Sequence, residues 1–299
     1  MRFLNLIIFF LECNAFKLNN LPPINSYKKV FNNNKIVKVY EPSNINKKNM
    51  DAIIFYTGAN SLIPGDIYSN FIGSLNRYNF SVSVATNDDS ITKELLYDIR
   101  NEYKNIIAVS HSSGYVSALN TINSQKNIKK AIFLDPVDNS NLLDLNPLKF
   151  MNNNNNNKFN YIENIMILNA EKSYKWSLFP KFEMPFIPGF ALDTKMIEKN
   201  NPDLVLEKKD ADDYGHSDIL DILWSDLMHG TLSKGHDDRS SNNLAEYHNW
   251  LAEEIYVFVN KNVVNSKELS SDIIDLSTPI DYEEVRPNYF SVDSETYLN

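Results

Sequence analysis

The sequence has little of what holds or tethers many chains. One cysteine, Cys13, in 299 residues forms no internal disulfide and leaves no cysteine cluster for zinc. There is no basic excess: 29 Lys and Arg stand against 38 Asp and Glu, a formal charge of −9. That balance argues against a nucleic-acid partner, because neutralising phosphates needs clustered cations. After the first twenty residues no apolar run approaches the ~20 residues that span a bilayer. No internal repeat is present. The hydrophobic share, 43%, is too high for intrinsic disorder. Such a chain is long enough to bury most of its apolar surface without a staple.

The ends differ from the middle. Met1-Arg2 precedes a stretch from Phe3 to Leu11 in which only Asn5 is polar, then Glu12-Cys13-Asn14-Ala15. A basic start, a short apolar stretch and a small residue predict a signal peptide over residues 1–15, and with it the secretory pathway. Without a signal the expectation is cytoplasmic, and a plastid destination fits a photosynthetic cell. A buried first strand is the alternative reading of the same run. Residues 16–34 read as an Asn-rich leader and 35–264 as the folded domain. Residues 265–299, with Glu268, Asp272, Asp275, Pro279, Asp281 and Pro287, read as an acidic, disordered tail. The Asn run at 152–157 reads as a loop.

In the middle, apolar runs at 36–40, 52–56, 81–85, 106–110, 131–134 and 165–168, with a weaker one at 204–206, alternate with helical stretches at 68–77, 92–103, 114–124 and 243–261. Runs apolar on both faces and separated by helices predict an α/β fold, a mainly parallel central sheet with helices on both faces.

The most informative stretch is Ile106-Ile107-Ala108-Val109-Ser110-His111-Ser112-Ser113-Gly114, a strand, a turn and the start of a helix. This is the context of a nucleophile elbow, G-x-S-x-G, with Ser110 in place of the first glycine. A serine on so sharp a turn needs small neighbours two residues away, and Ser110 and Gly114 are small. The turn would lift Ser112 above the carboxyl end of the sheet and aim the Ser113 N–H at a developing oxyanion. An ordinary turn whose serines cap the helix reads from the same residues. The second oxyanion donor is expected in the loop Thr57-Gly58-Ala59-Asn60-Ser61, with Ala59 first and Asn60 next.

A serine nucleophile needs a base and an acid, in the chain order Ser, acid, His for hydrolases of this build. Among the later histidines, His248 lies inside the last helix, His236 in a polar loop and His229 at a helix end. His216, in Tyr214-Gly215-His216-Ser217-Asp218, follows a late strand and so belongs at the same sheet rim as Ser112. Asp135 ends the strand 131–134 and is fixed by Pro136; Asp138 is the alternative acid, one turn later. No well-spaced ligand set predicts a metal, and the chemistry needs no cofactor.

Ser-His-Ser-Ser-Gly (110–114), Leu-Asp-Pro-Val-Asp (134–138) and Asp-Tyr-Gly-His-Ser-Asp-Ile-Leu-Asp (213–221) together resemble the chlorophyllase family of α/β-hydrolases, over about residues 50 to 262. That family carries Gly-His-Ser-Arg-Gly-Gly, Asp-Pro-Val and Tyr-Gly-His-Met-Asp-Met-Leu-Asp. The resemblance implies the α/β-hydrolase fold, with Ser112 as nucleophile, Asp135 as acid and His216 as base. It also implies hydrolysis of a carboxylic ester with a large apolar group, the family's own substrate being chlorophyll. Thr57 stands where the family has His, Ser113 where it has Arg, and Tyr115 where it has its second Gly.

An apolar substrate needs an apolar wall. Trp176, Phe186 and Phe190, in an aromatic, proline-punctuated loop after the sixth strand, are the expected pocket residues. The expected partner is a small-molecule or lipid-like ester. A non-catalytic binding protein of the same fold, and a lipase or general esterase, are the other readings.

Overall fold

Every residue of Asp51–Tyr56 (DAIIFY) is buried, which fixes this strand at the centre of a sheet covered on both sides. The computed structural model describes residues 25–30, 36–42, 46–86, 89–136, 161–179, 182–185, 198–199, 201–229, 235–238 and 240–261. The strands are β1 (Asn25–Val30), β2 (Ile36–Glu41), β3 (Asp51–Tyr56), β4 (Phe80–Val84), β5 (Asn105–His111), β6 (Ile128–Leu134), β7 (Asn164–Ala170), β8 (Lys175–Phe179), β9 (Phe182–Pro185) and β10 (Val205–Ala211). The helices are α1 (Gly58–Ser61), α2 (Ser69–Arg77), α3 (Asp89–Ile99), α4 (Gly114–Ser124), α5 (Ile222–Met228) and α6 (Ser241–Asn260). Eight strands form one sheet in the order β1-β2-β4-β3-β5-β6-β7-β10. β1 runs antiparallel to β2 and β2 antiparallel to β4; from β4 to β10 every pairing is parallel.

Alternation along the strands divides the core into two layers. Ile54, Ala108, Phe133 and Ile165 pack with Leu95 and Leu96 of α3 and Ala118 and Ile122 of α4. Ile53, Val109, Ile132 and Met166 face the other way, onto Phe71 and Leu75 of α2 and Leu251 and Ile255 of α6. Each buried Ile, Leu or Phe contributes about 1.5–3 kcal/mol relative to exposure, so the two-sided strands carry much of the stability. The helix that follows β3 covers one face, while the helix that follows β5 covers the other, although β3 and β5 are neighbours. The sheet therefore reverses its winding between them, and it is beyond the carboxyl ends at such a switch point that ligands bind in folds of this kind. This is the α/β-hydrolase fold.

Three local expectations change. β1 lies inside the segment read as leader and pairs with β2 along its whole length. Its sequence, NSYKKV, has no apolar run because an antiparallel edge strand need not bury both faces. The loop after β3 begins with one helical turn, α1. The aromatic loop contains an antiparallel hairpin, in which Trp176 of β8 pairs with Met184 of β9; Pro185 stands at the end of β9, a position where a strand tolerates proline. Phe186, Phe190, Asp138, the Asn run, residues 1–24 and the tail lie outside the described residues, so the signal, tail and pocket-wall expectations do too. No helix among the described residues is long and apolar enough to cross a membrane.

Candidate active site

The candidate site is built from the segments just beyond the carboxyl ends of β3, β5, β6 and β10. Ser112 sits between β5 and α4 with φ 55°, a left-handed backbone that costs a non-glycine residue about 1–3 kcal/mol. Its N–H still bonds the Leu134 carbonyl at 3.0 Å, so the sheet ladder holds the turn from beneath. Gly114 makes the turn possible: a Cβ there would lie 2.4 Å from the Thr57 carbonyl oxygen and 2.5 Å from that of Tyr56. Ser110, two residues before the nucleophile candidate, is fully buried, and its hydroxyl has no hydrogen-bond partner.

Asp135 follows β6 in the same way, with φ 43° and its N–H bonded to the Leu168 carbonyl of β7 at 2.7 Å. Its Oδ1 accepts the Ala170 N–H at 3.2 Å and its Oδ2 accepts the Ser173 hydroxyl at 2.5 Å. Oδ2 also meets His216 Nδ1. Burial works to raise the pKa of this carboxyl. The His216 hydrogen bond and charge, with the Ser173 and Ala170 donors, outweigh it and hold the pKa below the ordinary value.

His216 Nε2 lies 2.8 Å from Ser112 Oγ. One imidazole thus bridges a hydroxyl and a carboxylate that come from other strand ends. The loop that carries it is tied on every side. The Gly215 N–H and the His236 N–H both donate to Asp218 Oδ2, at 2.9 and 2.8 Å. Ser225 Oγ donates to Asp218 Oδ1 at 3.0 Å, and His248 Nε2 to the Asp218 carbonyl at 3.0 Å. Asp221 accepts the Ser69 hydroxyl and the Asn70 N–H at the start of α2, and the Lys172 N–H bonds the Tyr214 carbonyl at 2.8 Å. The His216 side chain keeps 21% exposure, so one edge of the site remains open.

Ala59 lies in α1, and Ser113, the residue after Ser112, is the N-cap of α4. A Cβ on Gly58 would come within 3.4 Å of Ser112 Cβ, which sets α1 against the turn. First-turn N–H groups of a helix lack partners within it. That of Gly58 is used by the Tyr68 hydroxyl at 3.1 Å, and the Ser61 N–H bonds the Thr57 carbonyl at 3.0 Å. The Thr57 hydroxyl, in the place where the resemblance puts a histidine, closes the loop on the Ile63 carbonyl at 2.6 Å.

Sequence reasoning missed four contributors. Ser173 follows β7 with no motif to mark it. His111 is the middle residue of Ser-His-Ser, a position to which the elbow pattern assigns no role. Tyr68 opens a helical stretch, and Asp218 stands inside the histidine motif without a role of its own. The His236 ring lies against that of Tyr214, with centroids 5.1 Å and planes 34° apart, and His229 caps the end of α5. Among the described residues no group of three or more His, Cys, Asp or Glu is arranged to hold a metal.

No family model and no curated protein matches the chain in sequence. Solved structures do match in shape. An esterase from Pyrobaculum calidifontis is similar at 11% identity, over 80% of this chain and 86% of its own, with a TM-score of 0.52. Thermogutta terrifontis esterase 2, phosphorylated by paraoxon, is similar at 13% identity, over 82% of this chain and 98% of its own, with a TM-score of 0.50. At such identities the likeness is one of architecture, and it agrees with the strand order: the chain has the α/β-hydrolase fold.

Proposed function

We propose that the protein is a serine hydrolase of carboxylic esters, with Ser112 as nucleophile, His216 as base and Asp135 as the acid that orients it. The observation that carries this reading is the bridge through His216, from Ser112 Oγ at 2.8 Å to Asp135, on a serine held at φ 55°.

The hydrogen bonds set the proton positions. A carboxylate only accepts, so His216 carries its proton on Nδ1, and Nε2 is free to accept from Ser112. As Oγ attacks the ester carbonyl, its proton moves to Nε2 and the imidazolium is stabilised by Asp135. The carbonyl oxygen becomes an oxyanion, met by the N–H groups of Ser113 and Ala59. Collapse breaks the ester C–O bond, and His216 gives the proton to the leaving alkoxide. Water then repeats the sequence on the acyl-enzyme, releasing the acid and restoring Ser112.

The finer reading is an ester with a large apolar group, chlorophyllase-like or lipase-like, walled by Trp176, Phe186 and Phe190. It is supported by the motif resemblance and by the aromatic content of the segment that continues from β7.

Two measurements test both levels. A fluorophosphonate should attach to Ser112 and be lost in Ser112→Ala and His216→Ala; folded wild-type protein that takes no label refutes the hydrolase. Phe186→Ser and Phe190→Ser should raise KM for long-chain p-nitrophenyl esters more than for short ones. Equal effects on both reject the apolar wall while leaving the hydrolase intact.

A further inference from the structure

His111 is a fully buried imidazole that the reaction above does not use. Its ring lies against that of His216, with centroids 4.7 Å apart and planes 32° apart. Its Nε2 is 3.0 Å from the His216 carbonyl oxygen, and its Nδ1 is 2.9 Å from the Tyr68 hydroxyl. Tyr68, also fully buried, meets the Gly58 N–H through the same oxygen at 3.1 Å.

These contacts determine every proton. A carbonyl oxygen only accepts, so His111 Nε2 must carry hydrogen. A neutral ring then has a lone pair on Nδ1, which accepts the Tyr68 O–H. The Tyr68 oxygen keeps its own lone pairs for the Gly58 N–H. The result is one directed chain: Gly58 N–H to Tyr68 O–H to His111 Nδ1, then His111 Nε2–H to the His216 carbonyl. Bonds aligned in this sense polarise one another in a dry interior. The neutral ring is also the form that burial enforces: burial first, then the nearby His216 charge, push the His111 pKa down to about 3.

We infer that Tyr68 and His111 are positioning residues, forming a polar strut that ties the oxyanion loop to the main chain of the base. Building on the proposed hydrolase, this adds a function for the second residue of the elbow. Gly58 immediately precedes Ala59, and His216 is the proton acceptor. The strut therefore sets the spacing between the group that stabilises the oxyanion and the group that takes the proton. Neither side chain belongs to the hydrogen-bonded line from Ser112 through His216 to Asp135, so each acts through the groups it holds. Their loss should slow the chemical step and leave ground-state binding alone, since displacement by about 1 Å at such a site costs on the order of 10²-fold.

Tyr68→Phe removes only the shared oxygen. With p-nitrophenyl acetate it should lower kcat by about 10- to 100-fold, with KM within about twofold. His111→Gln can return an N–H near the Nε2 position, whereas His111→Asn cannot reach it. The Gln variant should therefore keep kcat at least about fivefold above the Asn variant. Wild-type kcat in folded Tyr68→Phe overturns the strut, and so do equal losses in the two His111 variants. Nitrogen-15 NMR of wild-type protein near neutral pH decides the matter without turnover. His111 should show a protonated Nε2 and a bare Nδ1, and the reverse tautomer overturns the proposal. A wild type that is inert toward fluorophosphonate but shows the expected tautomer refutes the hydrolase reading and keeps the strut as a structural link.

Discussion

Gly114 and Thr57 meet backbone to backbone: a Cβ on the glycine would lie 2.4 Å from the threonine carbonyl oxygen. Neither atom belongs to a flexible side chain, so neither can turn aside. Gly114→Ala should push the start of α4 away from β3 and carry Ser112 with it. Overpacking of this kind costs about 1–3 kcal/mol, and a shifted nucleophile should lower kcat about 100-fold. Urea denaturation and ester kinetics on the same preparation measure both, and wild-type values for either would show that the turn has more room than its geometry allows.

Ser110 presents the opposite case, a residue less suited to its site than a near-isosteric apolar one. Its hydroxyl is buried without a partner, and such a group costs about 1–3 kcal/mol. Ser110→Ala should therefore raise the urea midpoint, by an amount equivalent to about 1 kcal/mol. A lower midpoint would mean that the hydroxyl is satisfied after all.

The Ser173 hydroxyl donates to the same Asp135 oxygen that meets His216. In Ser173→Ala the carboxylate loses one of the donors that depress its pKa, and the His216 ring loses part of its restraint. The expected result is a fall in kcat of about 3- to 10-fold at unchanged KM, against about 10⁴-fold for Asp135→Asn, which favours the wrong tautomer. A rise in KM with kcat intact would assign Ser173 to substrate binding instead.

Stability should depend on pH through three buried groups. Burial pushes His111 to about 3 and His248 to about 4, from an ordinary 6.5. Below 6.5 the unfolded chain binds protons that the folded chain refuses, so both histidines make stability fall as pH falls. Asp221 works the other way: burial raises it to about 6 from 3.8, so its contribution is present at low pH and is lost as pH rises through about 6. Near pH 5 the three together give uptake of about one net proton on unfolding, a slope of about 1.4 kcal/mol per pH unit. Asp221→Asn removes the opposing group and should steepen the dependence to about two protons. Urea midpoints between about pH 4.5 and 6 give both slopes; a flat wild-type profile would falsify this account.

Legibility in the sequence tracks where burial is two-sided. β3, β5, β6 and β7 bury nearly every residue, so their runs are apolar and visible. β10 is an edge strand with an exposed, charged pattern, VLEKKDA, and only its first residues stand out. β1, at the other edge, has no apolar run in NSYKKV to mark it. Ser112, Asp135 and His216 are findable because each follows a strand or carries a motif. Ser173 and Tyr68 owe their contacts to partners 38 and 43 residues away, and nothing in their neighbours along the chain marks them.

The hydroxyl of Ser112 and the ring that serves it are 104 residues apart, and the ring and its carboxylate 81. In the proposed hydrolase a chain emerging from the ribosome therefore carries its nucleophile for a long interval with no base to activate it. On the same reading any product of premature termination or of proteolysis before Gly215 lacks the base, however well its early strands associate. On that reading the site is complete only once residues 104 positions apart have both been made.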